Sequence, residues 1–308
     1  MNTLKFIKRY LPTTEQHDLS LSSVKKINLF GNNIRLYQPC NLNISITNLC
    51  KNNCWFCLLR NKHASDISDE EYFTSLKKLF NEIKDKGYFE ITLTGGEPTL
   101  NPLRLVETMR LCNEYGFPFR TFSTTGVGFQ TIYNNIPLYE HLILNKCVNN
   151  INLSRMSCCD ADNDIVMGSE NITNDFIRRI SKFFKLNDAS FRLSCNLING
   201  YIDSIDKIKS FITFYDNFGI DSFLFRELVS VNCNHPRTDD IIKTFYDIDF
   251  ITSKSSIFYD VSIYTWRDFI IKHYKSTLKD SSVISSLYLN NGVIKSDFSG
   301  KLFMENLL

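Results

Sequence analysis

The chain has 308 residues, of which 43% are hydrophobic and 22% charged, a balance typical of globular proteins rather than disordered or collagen-like chains. Lys and Arg number 35 against 33 Asp and Glu, and this net charge of +2 indicates neither a nucleic-acid partner nor an anionic membrane. No apolar run approaches the roughly 20 residues of a membrane helix, and the N-terminus lacks an apolar signal core. A cytoplasmic protein is therefore expected, with a short amphipathic N-terminal helix on a membrane as the less favoured alternative.

The first predicted element in chain order is a hairpin over residues 26–38 that turns at Gly31-Asn32-Asn33. From about residue 41, a strand–helix rhythm recurs roughly every 30 residues. Its strand candidates are residues 42–47, 89–94, 117–123, 150–154, 190–197 and 221–228. Amphipathic stretches between them predict helices, and Ser68-Asp-Glu-Glu71 predicts the capped start of the first. Residues 285–298 predict a closing hairpin that turns at Asn290-Asn-Gly292.

Short apolar strands that alternate with amphipathic helices predict a parallel sheet covered by helices, and hence an α/β fold. Six such units are too few for the full eight-fold barrel, so a partial (β/α)6 barrel with short N-terminal and C-terminal additions is expected. The predicted organisation is an N-terminal extension with a hairpin over residues 1–40 and a core over residues 41–235. A C-terminal helix and hairpin addition over residues 236–308 is expected to close the barrel.

Three cysteines follow the first strand of this rhythm, in the run Cys50-Lys-Asn-Asn-Cys54-Trp-Phe-Cys57. Soft thiolates suit iron–sulfur clusters or zinc, and three of them on one loop can surround one face of a cluster. One iron of a cubane cluster would then lack a protein ligand and be open to substrate or cofactor. The alternatives are a zinc site completed by His63 or Cys40, and three cysteines that bind no metal.

A second motif, Thr94-Gly-Gly-Glu-Pro98, follows the second strand of the rhythm. Together with the cysteine run and the aromatic Phe56 before its last cysteine, it resembles the paired motifs of the radical S-adenosylmethionine (SAM) superfamily. The resemblance covers about residues 41–228 and is closest to the group that contains the molybdenum-cofactor cyclase. It implies a partial radical SAM barrel, one [4Fe–4S] cluster held by Cys50, Cys54 and Cys57, and SAM bound through the open iron.

The resemblance also implies SAM contacts at the carboxyl ends of the strands. Gly95 and Gly96 allow the backbone to approach a ligand closely, and the Glu97 carboxylate suits a cationic amino group. The predicted SAM-binding residues are Gly95, Gly96, Glu97, Pro98, Ser123, Thr124, Ser154, Arg155 and Ser194. For the last five of these, an ordinary structural role is the alternative. Thr125 stands where relatives often carry Asn against the SAM ribose.

Substrate-side candidates lie further along the chain. Arg226 and Glu227 end the sixth strand, where parallel barrels place active-site residues, and an ion pair between strands is the alternative. Three cysteines are candidates for hydrogen-atom donation to a substrate radical, with small hydrophobic core residues as the alternative: Cys158, Cys159 and Cys195. Four histidines without ligand-like spacing are predicted to be structural or surface residues: His63, His141, His235 and His273.

The resemblance implies reductive cleavage of SAM, driven by an external one-electron donor such as flavodoxin or ferredoxin. The resulting 5'-deoxyadenosyl radical is expected to abstract hydrogen from a small nucleoside or sugar-like molecule, because residues 1–40 are too short for an independent peptide-recognition domain. The alternatives are modification of a ribosomally made peptide, a non-catalytic iron–sulfur or zinc sensor or scaffold, and a nucleotide dehydratase like the antiviral members of the superfamily. No nucleic-acid or membrane partner is expected.

Overall fold

The computed structural model describes residues 2–8, 23–58, 65–117, 120–144, 150–228, 235–277, 280–296 and 301–308. In chain order the strands are β1 (Thr3–Lys8), β2 (Ser23–Leu29), β3 (Asn32–Ser45), β4 (Phe89–Thr94), β5 (Arg120–Thr124), β6 (Ile132–Tyr133), β7 (Ile136–Pro137), β8 (Asn150–Ser154), β9 (Ser190–Asn196), β10 (Ser222–Arg226), β11 (Asp249–Ser255), β12 (Tyr259–Trp266), β13 (Phe269–Ser276), β14 (Ile284–Asn290), β15 (Val293–Lys295) and β16 (Met304–Asn306). The helices are α1 (Asp69–Ile83), α2 (Pro102–Glu114), α3 (Leu138–Leu144), α4 (Asp160–Met167), α5 (Asn174–Leu186), α6 (Ile205–Asp216) and α7 (Thr238–Lys243). Across these described ranges, none of the helices has the length and apolar character needed to cross a membrane.

The chain divides into two compact units, each assembled from separate stretches of sequence. The first unit comprises Met1–Leu19, Asn52–Arg60 and Ile151–Lys279. The second unit comprises Ser20–Lys51, Asn61–Asn150 and Asp280–Leu308. The predicted division into residues 1–40, 41–235 and 236–308 stays a prediction.

The second unit contains the predicted N-terminal hairpin and three parallel strands. In the hairpin of β2 and β3, Leu29 pairs with Asn32, so Phe30 and Gly31 form the turn, and the predicted turn at Gly31-Asn32-Asn33 is wrong because both asparagines belong to β3. The φ values of Phe30 and Gly31, 49° and 82°, are both left-handed, which suits the type I′ turn of a tight hairpin. β3 pairs with β4 and β4 with β5 in parallel, as the strand–helix rhythm predicts.

Helix α1 begins where the sequence predicts. The Ser68 hydroxyl accepts a hydrogen bond from Glu71 N at 3.2 Å, and the Glu71 carboxylate accepts one from Ser68 N at 2.9 Å. This capping box satisfies amide groups that the first helical turn leaves without partners. The buried residues of α1 are Tyr72, Ser75, Leu76, Leu79, Phe80 and Ile83. They confirm the amphipathic pattern of this helix.

Strands β14 to β16 belong to the sheet of the second unit. The predicted closing hairpin is present in β14 and β15, with Asn291 and Gly292 in left-handed conformations at its turn. β14 also pairs in parallel with β3. Strand β14 of the C-terminal segment therefore lies beside β3, a pairing that the local sequence pattern does not indicate.

The first unit contains a sheet in the order β11–β12–β13–β1–β10–β9–β8. β9 and β10 are parallel, whereas β1 lies antiparallel between β10 and β13. The alternative of an N-terminal amphipathic helix is therefore wrong for residues 3–8, where the apolar Leu4 and Phe6 alternate with polar neighbours and are buried. This alternation is the period of a strand.

The antiparallel strands β11 to β13 were not predicted. Trp266 pairs with Phe269, so Arg267 and Asp268 form the turn between β12 and β13. Arg267 has a left-handed φ of 52°, a conformation that normally signals Gly or Asn. Because neither residue is present, the sequence lacks the usual mark of a hairpin there.

Candidate functional site

The segment that leads into Cys50 lies against the glycine motif of the second unit. Gly96 N donates a hydrogen bond to Thr47 O at 2.7 Å. Glu97 N donates to Leu49 O, also at 2.7 Å. Cys50 itself is exposed. The carboxyl end of β4 therefore holds the backbone that carries the first motif cysteine.

The two glycines are needed for this close approach. A Cβ atom on Gly96 would lie 2.3 Å from Leu49 O and 2.6 Å from Asn48 O. A Cβ atom on Gly95, whose φ is +138°, would lie 2.5 Å from Thr47 O. Since no side chain fits there, both positions favour glycine. The approach that they permit is to the chain's own carbonyl groups, and their contact with SAM stays a prediction.

Glu97 is fully buried, and its carboxylate accepts five hydrogen bonds within the second unit. Oε1 accepts from Thr99 N at 3.1 Å, from Thr99 Oγ1 at 2.6 Å and from Thr124 Oγ1. Oε2 accepts from the backbone N and the Oγ1 of Thr125, both at 2.7 Å. These donors offset the cost of burying the charge and tie the end of β4 to the end of β5.

Two other predicted SAM-binding residues lie close to this carboxylate in sequence or on the neighbouring strand. Pro98 is buried and begins a single 3-10 turn, Pro98–Leu100. Ser123 is half-buried on β5, next to Thr124. Their roles toward SAM stay predictions.

Cys54 and Cys57 lie in the first unit, where Cys57 is exposed and Cys54 half-buried. Cys57 N donates to Cys54 O at 3.1 Å and closes a turn between them. Asn53 N donates to Met167 O at 2.9 Å, and the Cys54 thiol donates to the same oxygen at 3.6 Å. A thiolate ligand would give up that last bond because it has no proton to donate.

His235 stacks on the tryptophan of the cysteine motif. The rings of Trp55 and His235 are 5.3 Å apart at an angle of 28°, and Trp55 is 39% exposed. Asn199 N donates to His235 Nδ1 at 3.4 Å, which leaves the proton of the neutral ring on Nε2. Nε2 is buried with no hydrogen-bond partner in the described ranges. Nothing in the local sequence links this histidine to the motif.

Arg155 is 1% exposed, and its guanidinium is surrounded by protein groups of the first unit. Nε donates to the Tyr215 hydroxyl at 2.7 Å, and one terminal nitrogen donates to Ile172 O at 3.0 Å. The other terminal nitrogen donates to the Asp160 carboxylate and, at 3.0 Å, to Asn174 Oδ1. These contacts favour the structural alternative for Arg155, while its contact with SAM stays a prediction.

Serine and cysteine candidates lie at or near the ends of β8 and β9. Ser154 is half-buried and Ser194 is buried. Burial raises the pKa of the Cys158 thiol to about 12 and that of Cys195 well above its usual value, while Cys159 is exposed. The burial of Cys195 favours its alternative role as a core residue, and hydrogen-atom donation by Cys158, Cys159 and Cys195 stays a prediction.

Glu227 lies just after β10 and is buried. Its carboxylate accepts from Thr238 N at 2.7 Å and from Thr238 Oγ1 at 2.8 Å, and it forms an ion pair with Arg237 at 3.3 Å. Arg226, at the end of β10, is half-buried. The predicted substrate contacts of Arg226 and Glu227 stay predictions.

His273 extends the network around Glu227. Its Nε2 lies 3.1 Å from Thr238 Oγ1 and 3.4 Å from Asp239 Oδ1. Burial lowers the pKa of His273 below its usual value, a shift that Asp239 and Glu227 oppose and Lys275 reinforces. The neutral imidazole is therefore the favoured form in the folded protein.

We expect this histidine to make the folded state less stable as the pH falls below about 6.5, its pKa in the unfolded chain. Because its pKa is lower in the folded state, the unfolded chain binds more protons in that range. Urea unfolding of the cluster-free protein between about pH 7.5 and pH 5.5 should show a steeper loss of stability for wild type than for His273→Gln. Equal pH dependence in the two proteins would contradict this prediction.

In the described ranges, no three or more His, Cys, Asp and Glu side chains come close enough to hold one metal ion. A cubane cluster does not require this, because each thiolate binds a different iron. The soft donors and the exposed Cys50 and Cys57 thiols fit such a cluster. Cys40, named in the zinc alternative, is buried on β3, where burial raises its pKa to about 12, and this disfavours a thiolate ligand. His63 lies outside the described residues.

The sequence patterns did not indicate the residues that hold the predicted site residues in place. These are Asp66, Thr99, Asp160, Asn174, Tyr215 and Thr238. Only Thr99 had a sequence signal, since it adjoins the glycine motif. Asp160 lies five residues after Arg155, whereas the remaining partners lie eleven or more residues from the groups that they contact.

Comparison with known proteins relates part of the chain to one superfamily. The model of the radical SAM superfamily matches residues 44–146. The structure of Streptococcus suis SuiB bound to S-adenosylmethionine is 20% identical, with a TM-score of 0.50 over 64% of this chain and 43% of SuiB. Native anSMEcpe with bound AdoMet is 19% identical, with a TM-score of 0.47 over 64% of this chain and 56% of anSMEcpe. The chain thus spans about half the length of these proteins. No curated protein matches it.

The likeness to SuiB shows a similar fold and confirms the predicted α/β class. Radical SAM proteins are enzymes that use a [4Fe–4S] cluster, SAM, an external electron donor and a substrate. The closer similarity to the cyclase-like group stays a prediction. Residues 44–146 of the chain thus match the radical SAM superfamily.

Proposed function

We propose that this protein cleaves SAM reductively and uses the resulting 5'-deoxyadenosyl radical to abstract hydrogen from a substrate. The observation that carries the proposal is the run of Cys50, Cys54 and Cys57 inside a radical SAM domain. Three thiolates leave one iron of a [4Fe–4S] cluster open, which is where the family binds SAM. When bound, the cluster and SAM supply the radical chemistry.

The protein's own residues have positioning roles in this proposal. Gly95 and Gly96 supply backbone groups at the end of β4 for the SAM amino group. The buried Glu97 carboxylate holds that strand end beside Thr124 and Thr125. Its five hydrogen bonds make it a support for the binding backbone, whereas the sequence alone suggested a direct partner for the amino group.

A small nucleoside or sugar-like molecule is the proposed substrate. The position of β1 between β10 and β13 supports this proposal, because residues 3–8 pack within the sheet of the first unit. Arg226 and Glu227, at the end of β10, are the proposed substrate-side residues, and Cys158, Cys159 and Cys195 are candidates for hydrogen-atom donation. The proposed electron donor is flavodoxin or ferredoxin, and the proposed location is the cytoplasm.

Anaerobic reconstitution with iron and sulfide, followed by dithionite and SAM, tests the activity. We expect wild type to form 5'-deoxyadenosine and the Cys50→Ala/Cys54→Ala/Cys57→Ala variant to form none, because the variant has lost all its proposed cluster ligands. Cys112→Ala, which removes a buried thiol of α2, is the matched control and should retain the activity.

The absence of SAM binding would contradict the proposed activity. A wild-type protein that carries a full cluster, yet neither binds SAM nor changes the cluster's spectrum when SAM is added, would overturn the proposal. The sensor or scaffold alternative would then take its place. Deuterium transfer from candidate substrates into 5'-deoxyadenosine would separate small molecules from peptides.

A further inference from the structure

The backbone of residues 47–49, here called the cysteine platform, directly precedes Cys50 and is held by the glycine motif on one side. The carbonyl groups of Thr47 and Leu49 accept hydrogen bonds from Gly96 N and Glu97 N. The backbones are so close that a Cβ atom on Gly96 would overlap the platform. On this side the platform cannot shift without breaking two hydrogen bonds.

Asp66 holds the same platform through its side chain. Its Oδ2 accepts a hydrogen bond from the Thr47 hydroxyl, and its Oδ1 accepts one from Asn48 N at 2.8 Å. The Thr47 hydroxyl in turn accepts from Leu49 N at 3.1 Å. Asn290 Nδ2 adds a bond to Asn48 Oδ1 at 3.0 Å. One carboxylate therefore engages both the backbone and the side chain of the platform.

Asp66 is itself held in place by a buried arginine of α2. Arg104 donates from Nε to Asp69 Oδ1 at 2.6 Å and from a terminal nitrogen to Ile67 O. Its guanidinium lies 4.6 Å from the centre of the Tyr72 ring and 4.0 Å from Asp66 Oδ2. The segment that carries Asp66 is thus anchored to two helices of the second unit.

We propose that Asp66 is a positioning residue for the cluster, fixing the platform so that Cys50 is presented in a single geometry beside Gly95 and Gly96. This inference rests on the proposed function, since it assumes that Cys50 is a cluster ligand. Groups that orient metal ligands commonly change metal affinity or activity by about 10- to 100-fold when they are removed. Asp66 does this through the Asn48 amide and the Thr47 hydroxyl, from which its carboxylate accepts hydrogen bonds.

Two substitutions at Asp66 test this positioning role, one removing part of its hydrogen bonding and the other removing all of it. Asp66→Asn keeps an acceptor for Asn48 N and removes the acceptor for the Thr47 hydroxyl, whereas Asp66→Ala removes both. We expect a reconstituted cluster to be lost to a chelator about 10- to 100-fold faster in Asp66→Ala than in wild type, with Asp66→Asn in between. The matched control is Asp69→Ala, which removes the exposed carboxylate on Arg104 and leaves the platform bonds intact.

Hydrogen exchange of the cluster-free protein provides a readout that does not depend on activity. Asp66→Ala should accelerate exchange at the amides of Asn48 and Leu49, while Asp69→Ala should not. The inference is wrong if Asp66→Ala loses its cluster at the wild-type rate, or no faster than Asp69→Ala. If wild type takes up no cluster at all, the proposed function fails instead, and the exchange data alone then decide whether Asp66 orders the platform.

Discussion

Replacing Arg155 with methionine is expected to lower the free energy of unfolding of the cluster-free protein by about 3 kcal/mol. The change leaves the Asp160 carboxylate, the Tyr215 hydroxyl and the Ile172 carbonyl without their cationic donor. This is the low end of the range for breaking a buried ion pair, because the Asp160 side chain is 41% exposed and water can solvate it. Urea unfolding measures the effect directly.

Two variants make the Arg155 experiment specific. Arg155→Lys should recover little of the loss, since an ammonium group cannot reproduce the planar fork that reaches several acceptors at once. Lys182→Met removes an exposed cation of α5 in the same unit and should change stability by no more than about 0.5 kcal/mol. If Arg155→Met is as stable as this control but binds SAM more weakly, the predicted SAM contact replaces the structural role.

Gly96→Ala is expected to lower the free energy of unfolding by about 1–3 kcal/mol, the usual cost of forcing atoms into a filled space. The new methyl group would start 2.3 Å from Leu49 O and 2.6 Å from Asn48 O, both backbone atoms that cannot turn aside. The cysteine platform must therefore move away from β4. We expect the variant to incorporate less iron on reconstitution, because Cys50 moves with the platform.

A glycine elsewhere in the second unit provides the comparison. At Gly87 a Cβ atom would lie 2.8 Å from Gln38 Oε1, a side-chain atom that accepts a hydrogen bond from Tyr88 N. Gly87→Ala should therefore lose stability as well, but it should leave the iron content unchanged because Gln38 does not belong to the cysteine platform. A full iron content in Gly96→Ala, or an equal loss of iron in Gly87→Ala, would show that the close approach at Gly96 does not control the cysteine platform.

Much of the local structure could be predicted from the sequence. The capping box at Ser68, the strand Phe89–Thr94 and the strand Asn150–Ser154 follow from patterns within a few neighbouring residues. The antiparallel strands after residue 249 could not be predicted in the same way, because a left-handed arginine occupies the turn at Arg267. A hairpin prediction from local sequence fails where the turn residue is not one that usually adopts a left-handed conformation.

The candidate site likewise combines motifs within short segments and contacts that only the fold creates. The spacing of the cysteines and the Gly-Gly-Glu-Pro run are properties of short segments, and they were enough to indicate the superfamily whose model matches residues 44–146. The partners of Glu97 and Arg155 were not foreseen. Glu97 reaches Thr124 from the next strand, and Arg155 reaches Tyr215 from a helix that follows in the chain.

The sequence by itself determined the element types of the strand–helix core and the two motifs, because periodicity, capping and motif spacing depend on residues near one another in the chain. Only the tertiary structure decided that β14 lies beside β3 and that Asp66 and Gly96 hold the segment before Cys50. The physical reason is that a hydrogen bond depends on distances of a few ångströms between groups that the sequence separates by tens or hundreds of residues. Such partners become visible only when the fold brings them together.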